Sequence, residues 1–207
     1  MKSIVCFFDT SDQSLAANNL ILRARQRVGQ SGESTVKLRA RAGDAELSAR
    51  ERLVPPEQDW INDHEPTLSR SLDARPISQG LVKKVAEGDE PISELYNHPQ
   101  RQLVAARLKD FNWGDLRRYG PVTTEVWSKQ VELPGYPEAV TIELWHLQQA
   151  GRTQDILEVS IKSKAASDAQ AQAQARQFFA AAKAAGLGEP TGQTKTKIVL
   201  DFFKPGR

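Results

Sequence analysis

The sequence has little of what would place it in several common classes of protein. Its 207 residues include one cysteine and three histidines, and the formal net charge at pH 7 is +2. A single cysteine, Cys6, excludes an intramolecular disulfide and a cysteine-based zinc site, and it favours a reducing, cytoplasmic setting. A net charge this small excludes a generally basic nucleic-acid protein. Any polyanion site must therefore come from local separation of charge.

Several recognisable functional motifs are also missing. No hydrophobic run is long enough for a transmembrane helix and no signal peptide is visible, so we expect no membrane partner. There is no P-loop, dinucleotide-binding glycine motif or nucleophile elbow. The histidines are scattered without partners at metal-ligand spacing, and the tryptophans are typical of core packing. What remains informative is the pattern of charge along the strands.

The clearest pattern is a pair of short stretches in which basic and apolar residues alternate. Residues 20–27 (LILRARQR) and 35–41 (TVKLRAR) predict two antiparallel strands joined by a loop containing Gly and Ser. Because successive side chains of a strand point to opposite faces, the hairpin places six cations on one surface. These are Arg23, Arg25, Arg27, Lys37, Arg39 and Arg41. Their repulsion needs an offset, which a polyanion, facing carboxylates or salt water would each supply.

The rest of the chain predicts an α+β fold. Strands are expected at residues 3–9, 123–133, 140–147, 156–162 and 195–203, and helices at 77–87, 99–111 and 165–185. Residues 43–76 are charged and interrupted by proline, which predicts a loop with a short helical piece at 46–53. No linker separates two units large enough to fold alone, so residues 1–207 are expected to form a single domain.

Two of the later strands carry an acid on their polar face. Glu143 alternates with apolar residues in VTIELWHL, and Glu158 does so in ILEVSIK. If these strands and the basic hairpin belong to one closed sheet, their polar faces line its interior and their apolar faces lie outward under the helices. Carboxylates there would hold a divalent cation, while guanidinium and ammonium groups would bind phosphate oxygens. The pattern predicts a charged β tunnel.

At this point the residues carry a family resemblance. The run FFDTSDQSLAANNLILRARQRVGQSGESTVKLR resembles the early part of the CYTH domain, the triphosphate tunnel metalloenzyme superfamily of thiamine triphosphatases, inorganic triphosphatases and class IV adenylyl cyclases. The matching features are the Phe-Asp-Thr turn at residues 7–10, Leu15, the pair Arg23 and Arg25, and the pair Lys37 and Arg39. The acidic strands, an Ala-rich helix and Lys195 follow in the family's order. The resemblance spans most of the chain, but only the first forty or so residues carry motifs specific to the family.

The resemblance implies an antiparallel β barrel or tunnel with a polar interior and flanking helices. It also implies a small triphosphate or polyphosphate ligand, no specific nucleic acid, and hydrolysis that depends on Mg²⁺ or Mn²⁺. The implied phosphate-binding residues are Arg23, Arg25, Lys37, Arg39, Lys162 and Lys195. The implied metal ligands are Glu143 and Glu158, and no further catalytic residue follows.

Two departures from the family's pattern bear on the metal. The family has a Glu-x-Glu-x-Lys strand ahead of the Phe-Asp-Thr turn, whereas this sequence begins MKSIVCFFDT, and Ser160 stands where many members have a further acid. A non-catalytic polyphosphate- or nucleotide-binding module is therefore the alternative function. A structural protein whose basic hairpin faces solvent is the third.

Overall fold

A computed structural model describes residues 1–40, 47–78 and 80–204 of the chain. Its strands are β1 (Lys2–Thr10), β2 (Leu20–Arg27), β3 (Gly32–Arg39), β4 (Pro56–Asp59), β5 (Thr67–Ile77), β6 (Leu116–Glu132), β7 (Ala139–Gln149) and β8 (Arg152–Ser160). Its helices are α1 (Ser14–Ala17), α2 (Ala49–Arg52), α3 (Leu81–Glu87), α4 (His98–Arg107), α5 (Asp168–Ala184) and α6 (Lys195–Phe202). Short 3₁₀ turns lie at Ile92–Leu95 and Trp113–Asp115.

The strands form one antiparallel sheet in the order β4-β5-β3-β2-β1-β6-β7-β8. The predicted α+β class, with an antiparallel sheet and flanking helices, is confirmed. The basic hairpin is present as β2 and β3, which pair directly, with Arg23 opposite Thr35. Helices α3, α4 and α5 lie where the sequence predicts helices, and Ser167 caps α5 by accepting a hydrogen bond from the Gln170 amide.

The two faces of the hairpin divide as the alternation predicts. Leu20, Leu22 and Ala24 are buried in a core completed by residues of α3 and α4. We call this side of the sheet the outer face. The opposite side, which carries Arg23, Arg25, Glu143 and Glu158, is the inner face. Burial of the apolar side under helices therefore leaves the charged residues of the hairpin to share the inner face.

The sheet is curled, but its edges are not joined by a strand ladder in the described part of the chain. Eight strands laid flat would span about 33 Å from edge to edge. In the curled sheet the region of the two edges is close enough for side-chain contact. Gln58 of the edge strand β4 donates at 2.8 Å to Asp168, which begins the helix that follows the other edge strand, β8. Gln172 of α5 also donates to the His64 carbonyl at 3.4 Å. The closed sheet expected from the sequence is thus an open, curled one.

Helix α6 packs on the inner face. Its residues Val199, Leu200 and Phe202 are buried against a cluster of Val5, Phe7, Ile21, Tyr119, Trp145 and Leu147. The prediction of a strand at 195–203 is wrong. The segment is rich in β-branched and aromatic residues, yet its apolar side chains recur at helical spacing, and Thr194 caps the helix by accepting a hydrogen bond from the Lys197 amide.

The prediction of a loop over 43–76 is also wrong for much of its length. It contains β4 and β5, and β5 pairs with β3 from Gly32 to Arg39. The short helical piece is present as α2, which Ser48 and Glu51 close with a capping box. Residues 41–46, which include Arg41 and the first part of this predicted loop, lie outside the described residues. None of the described helices is long and apolar enough to cross a membrane.

Candidate anion-binding site

Carboxylates face several cations of the hairpin across the inner face. Arg27 lies 3.6 Å from Glu33, and Lys37 lies 2.6 Å from Asp59. Glu33 also contacts Arg75, and Lys37 has a second, longer contact with Glu57 at 3.8 Å. Facing carboxylates therefore offset much of the repulsion along the basic row, and the hairpin does not simply extend its charges into solvent.

Arg23 differs from its neighbours because no carboxylate among residues 1–40, 47–78 and 80–204 lies within ion-pair distance of it. Its guanidinium donates one hydrogen bond, to the Thr35 hydroxyl at 3.0 Å, and that hydroxyl donates to Asp73 at 2.6 Å. Burial and the nearby Arg25 charge lower the pKa of Arg23. The residue is a partly buried cation whose hydrogen-bond link to a carboxylate, Asp73, passes through a hydroxyl group, while the charges of Glu33, Asp73 and Glu143 act on it without an ion pair.

Arg25 forms a two-point contact with Glu143. Its two terminal nitrogens lie 3.2 and 3.4 Å from the carboxylate oxygens, and both side chains are only about a tenth exposed. The partners come from β2 and β7, which β1 and β6 separate in the sheet, so this contact spans the curled inner face. Trp145 contacts both partners. Its indole nitrogen donates to Glu143 at 3.1 Å, and the Arg25 guanidinium lies 5.8 Å from its ring centre.

Lys195 joins the two acids predicted to hold a metal. Glu143 and Glu158 are direct partners across β7 and β8, and the Lys195 ammonium contacts both carboxylates, with 3.3 Å to Glu143. Burial alone would raise the pKa of Glu143, but the charges of Lys195 and Arg25 outweigh burial and bring the pKa down to about 2. Burial raises the pKa of Glu158, and the nearby Glu143 charge raises it as well. Lys195 opposes both effects without outweighing them.

Arg39, the last residue of β3, contacts the residue that caps α6. Its guanidinium donates to the Thr194 hydroxyl at 3.3 Å, and burial lowers its pKa against the opposing charge of Asp59. No ion pair joins Arg39 to a carboxylate in the portion of the chain that the structure describes. Arg23 and Arg39 are thus the two hairpin arginines whose described hydrogen bonds go to hydroxyl groups.

The predicted site residues do not all come together. Arg23, Arg25, Lys37, Arg39, Lys195, Glu143 and Glu158 share the inner face, whereas Lys162 is exposed just beyond the end of β8. Sequence reasoning missed the inner-face acids of β4 and β5, since it treated that region as a loop. The alternation of Ser69, Ser71 and Asp73 with Leu68 and Leu72 was the signal that could have revealed them.

The residues present do not fit a resident divalent metal. A carboxylate offers about four lone-pair positions. Oε2 of Glu143 already accepts from Arg25, Lys195 and Trp145, more donors than its two lone pairs, and Oε1 accepts from Arg25. Among the described residues, no group of three or more His, Cys, Asp or Glu side chains is arranged to hold a metal ion. The two acids are paired with the charged side chains of Arg25 and Lys195.

Comparison with solved structures supports the architecture. No protein-family model matches the sequence, and no curated protein matches it. By structure, the chain is similar to the crystal structure of a putative adenylate cyclase from Bacillus halodurans, with a TM-score of 0.55 and 14% identity over 95% of this chain and 81% of that one. It is also similar to a putative adenylyl cyclase from Hippeastrum with a dominant triphosphatase activity, with a TM-score of 0.52 and 15% identity over 97% and 81% of the two chains.

The chain therefore has the α+β fold of these two proteins. The resemblance to the CYTH domain, read from the Phe-Asp-Thr turn and the two basic strands, is confirmed at the level of the fold.

Proposed function

We propose that the inner face binds a small anion bearing a triphosphate or a longer polyphosphate. The observation that carries this proposal is Arg23, a partly buried guanidinium with one hydrogen bond to a neutral hydroxyl and no ion pair with a described carboxylate. Taking a cation even partly out of water carries a solvation penalty unless a partner offsets it. Phosphate oxygens are well suited to that role because a guanidinium binds them through two parallel hydrogen bonds.

Neighbouring groups support the same ligand. Arg25 has a buried Nε atom with no hydrogen-bond partner among the described residues, and it lies two positions from Arg23 on the same face. Lys37 and Arg39 extend the row along β3. Because Arg25 and Lys37 already have acidic partners, a singly charged anion gains little by displacing them, whereas a multiply charged one engages several cations at once. This argues for a triphosphate over orthophosphate.

The test is thermal unfolding and calorimetry with inorganic tripolyphosphate, orthophosphate and sulfate. At a concentration about 100 times its Kd, a ligand specific to the folded state adds about 2.7 kcal/mol of stability. For a chain of this size that is a rise of roughly 5 to 10 °C in Tm. We expect such a rise with tripolyphosphate and a much smaller one with orthophosphate. Equal shifts with all three anions, or none, would reject the site.

Arg101 offers a matched control. It lies on α4 and is exposed, away from the inner face. Arg101→Met should leave tripolyphosphate binding unchanged, whereas Arg23→Met should weaken it. If the two variants lose binding equally, the anion is held by general surface charge, and the proposed site is wrong.

Metal-dependent triphosphate hydrolysis is the second candidate. It is favoured by the fold shared with the Hippeastrum protein, which has a dominant triphosphatase activity. In this proposal Mg²⁺ or Mn²⁺ would need Glu143 and Glu158, the acids that Lys195 now contacts. Phosphate release from tripolyphosphate, measured with and without each metal, separates the candidates. Metal-dependent turnover lost in Glu158→Gln would establish the hydrolase, and tight binding without turnover would establish the binding module.

A further inference from the structure

Two carboxylates that face each other across neighbouring strands repel unless a cation or a shared proton lies between them. Glu143 and Glu158 are direct register partners, so their Cβ atoms lie about 5 Å apart on the same face. Like charges directly opposite each other destabilise a sheet. Arg25 neutralises only one of the two, through its two-point contact with Glu143. The remaining charge belongs to Glu158, whose only described ion pair is with Lys195.

We propose that Lys195 is a built-in counter-ion that takes the place of a divalent metal at the Glu143 and Glu158 pair. Its ammonium contacts both carboxylates and lies 4.6 Å from the centre of the Trp145 ring. It therefore has the two contacts that a bridging metal would make. The indole ring adds a cation–π contact, which a lysine ammonium makes readily.

The fold positions Lys195 firmly. It is the first residue of α6, directly after the capping residue Thr194. The same helix is anchored by Val199 and Leu200, which are almost completely buried against the inner face. A lysine on a mobile loop would pay a large entropy cost to bridge two acids. Here packing of the helix has already fixed its backbone.

The bonding of Glu143 leaves little capacity for a metal on the side that faces Glu158. Its Oε2 accepts from three donors, Arg25, Lys195 and Trp145, whereas its Oε1 accepts only from Arg25. A divalent cation that bridged the two acids would have to displace Lys195 from that oxygen, and the ammonium group would then lie beside a doubly charged ion. Wild-type protein should therefore bind Mn²⁺ weakly at this pair. This inference does not depend on anion binding, and Mn²⁺ alone is the probe.

The experiment measures free Mn²⁺ by electron paramagnetic resonance during titration at mildly alkaline pH. Lys195→Met keeps the length of the side chain and removes its charge. We expect it to bind one Mn²⁺ with at least about tenfold higher affinity than wild type, and the double variant Lys195→Met/Glu158→Gln to lose that gain. Lys197→Met, a change on the same helix at a residue paired with Asp201, should behave as wild type.

A saturable wild-type Mn²⁺ site that Glu158→Gln abolishes would overturn the proposal. So would a folded Lys195→Met that gains no affinity. If Lys195→Met does not fold, the wild-type and Glu158→Gln titrations still decide, because the proposal requires that both bind Mn²⁺ equally weakly. Lys195→Arg, which keeps the charge, should then match wild type, and a gain of Mn²⁺ affinity in it would contradict the counter-ion role.

Discussion

Arg23→Met should separate a residue kept for binding from one kept for stability. The wild-type guanidinium makes one hydrogen bond to a neutral hydroxyl, worth about 1 kcal/mol net. Thr35 keeps its other bond, to Asp73, when Arg23 is replaced. Against that small loss stands the removal of a partly buried cation close to Arg25; burial and the Arg25 charge lower the pKa of Arg23, and the Glu33, Asp73 and Glu143 charges only partly oppose them. We therefore expect the free energy of unfolding to stay constant or to rise by up to about 2 kcal/mol.

The same change should weaken ligand binding. Loss of one charge-assisted contact with phosphate costs about 1.5 to 3 kcal/mol, which raises the Kd for tripolyphosphate roughly 10- to 150-fold. Arg25→Met is the informative comparison, because it breaks a two-point contact with Glu143 and leaves that acid with fewer partners. It should lower the free energy of unfolding by about 2 kcal/mol, or Tm by roughly 4 to 8 °C.

Differential scanning calorimetry and titration calorimetry on the three proteins give both quantities. The expected signature is a variant at position 23 that is at least as stable as wild type and binds tripolyphosphate poorly. The reasoning is refuted if Arg23→Met melts well below wild type and below Arg25→Met while its Kd is unchanged. Arg23 would then be a structural residue whose charge the fold requires.

Three further outcomes are expected. The pKa of Glu143 lies at about 2 in the folded state, below its ordinary 4.5, so its stabilising contribution is complete above pH 4.5 and is lost as pH falls towards 2. The wild-type protein should therefore lose up to about 3 kcal/mol of stability over this pH range through Glu143. When Tm is followed against pH, that loss should disappear in Glu143→Gln and persist in Glu125→Gln. Gln100 is fully buried and accepts from the Ser34 hydroxyl while donating to two carbonyls, so Gln100→Leu should cost about 2 to 3 kcal/mol in urea unfolding, and a neutral result would contradict this network. Leu200→Ala should cost about 2 to 4 kcal/mol in the same assay if α6 is packed as described, and a loss below about 1 kcal/mol would show that it is not.

The hairpin could be predicted because its information is local. Alternation of arginine with leucine and alanine over residues 20–27 fixes which side chains share a face, and burial of Leu22 and Ala24 then decides which face turns to the helices. The capping of α5 by Ser167 is local in the same sense. These features required no knowledge of the partner strands.

The pairing of charges across the inner face could not be predicted. It depends on strand register and curvature, which bring Arg25 of β2 to Glu143 of β7. The mistaken strand at 195–203 had a further consequence. On a strand, Lys195 was expected to bind phosphate, whereas the start of a helix packed on Trp145 brings it to Glu143 and Glu158. Tertiary packing of Val199 and Leu200 overrode the β propensity of that segment.

The open seam between β4 and β8 gives the inner face an adjustable width. A closed barrel has a fixed circumference, because the number and stagger of its strands set its diameter. Here side-chain amides span the seam, Gln58 to Asp168 and Gln172 to the His64 carbonyl, and water replaces such contacts readily. The radius of the sheet is set by the twist between neighbouring strands, which varies over many degrees. An anion bound as proposed would therefore meet a face that can widen or tighten without breaking a strand-pairing hydrogen bond of the described residues.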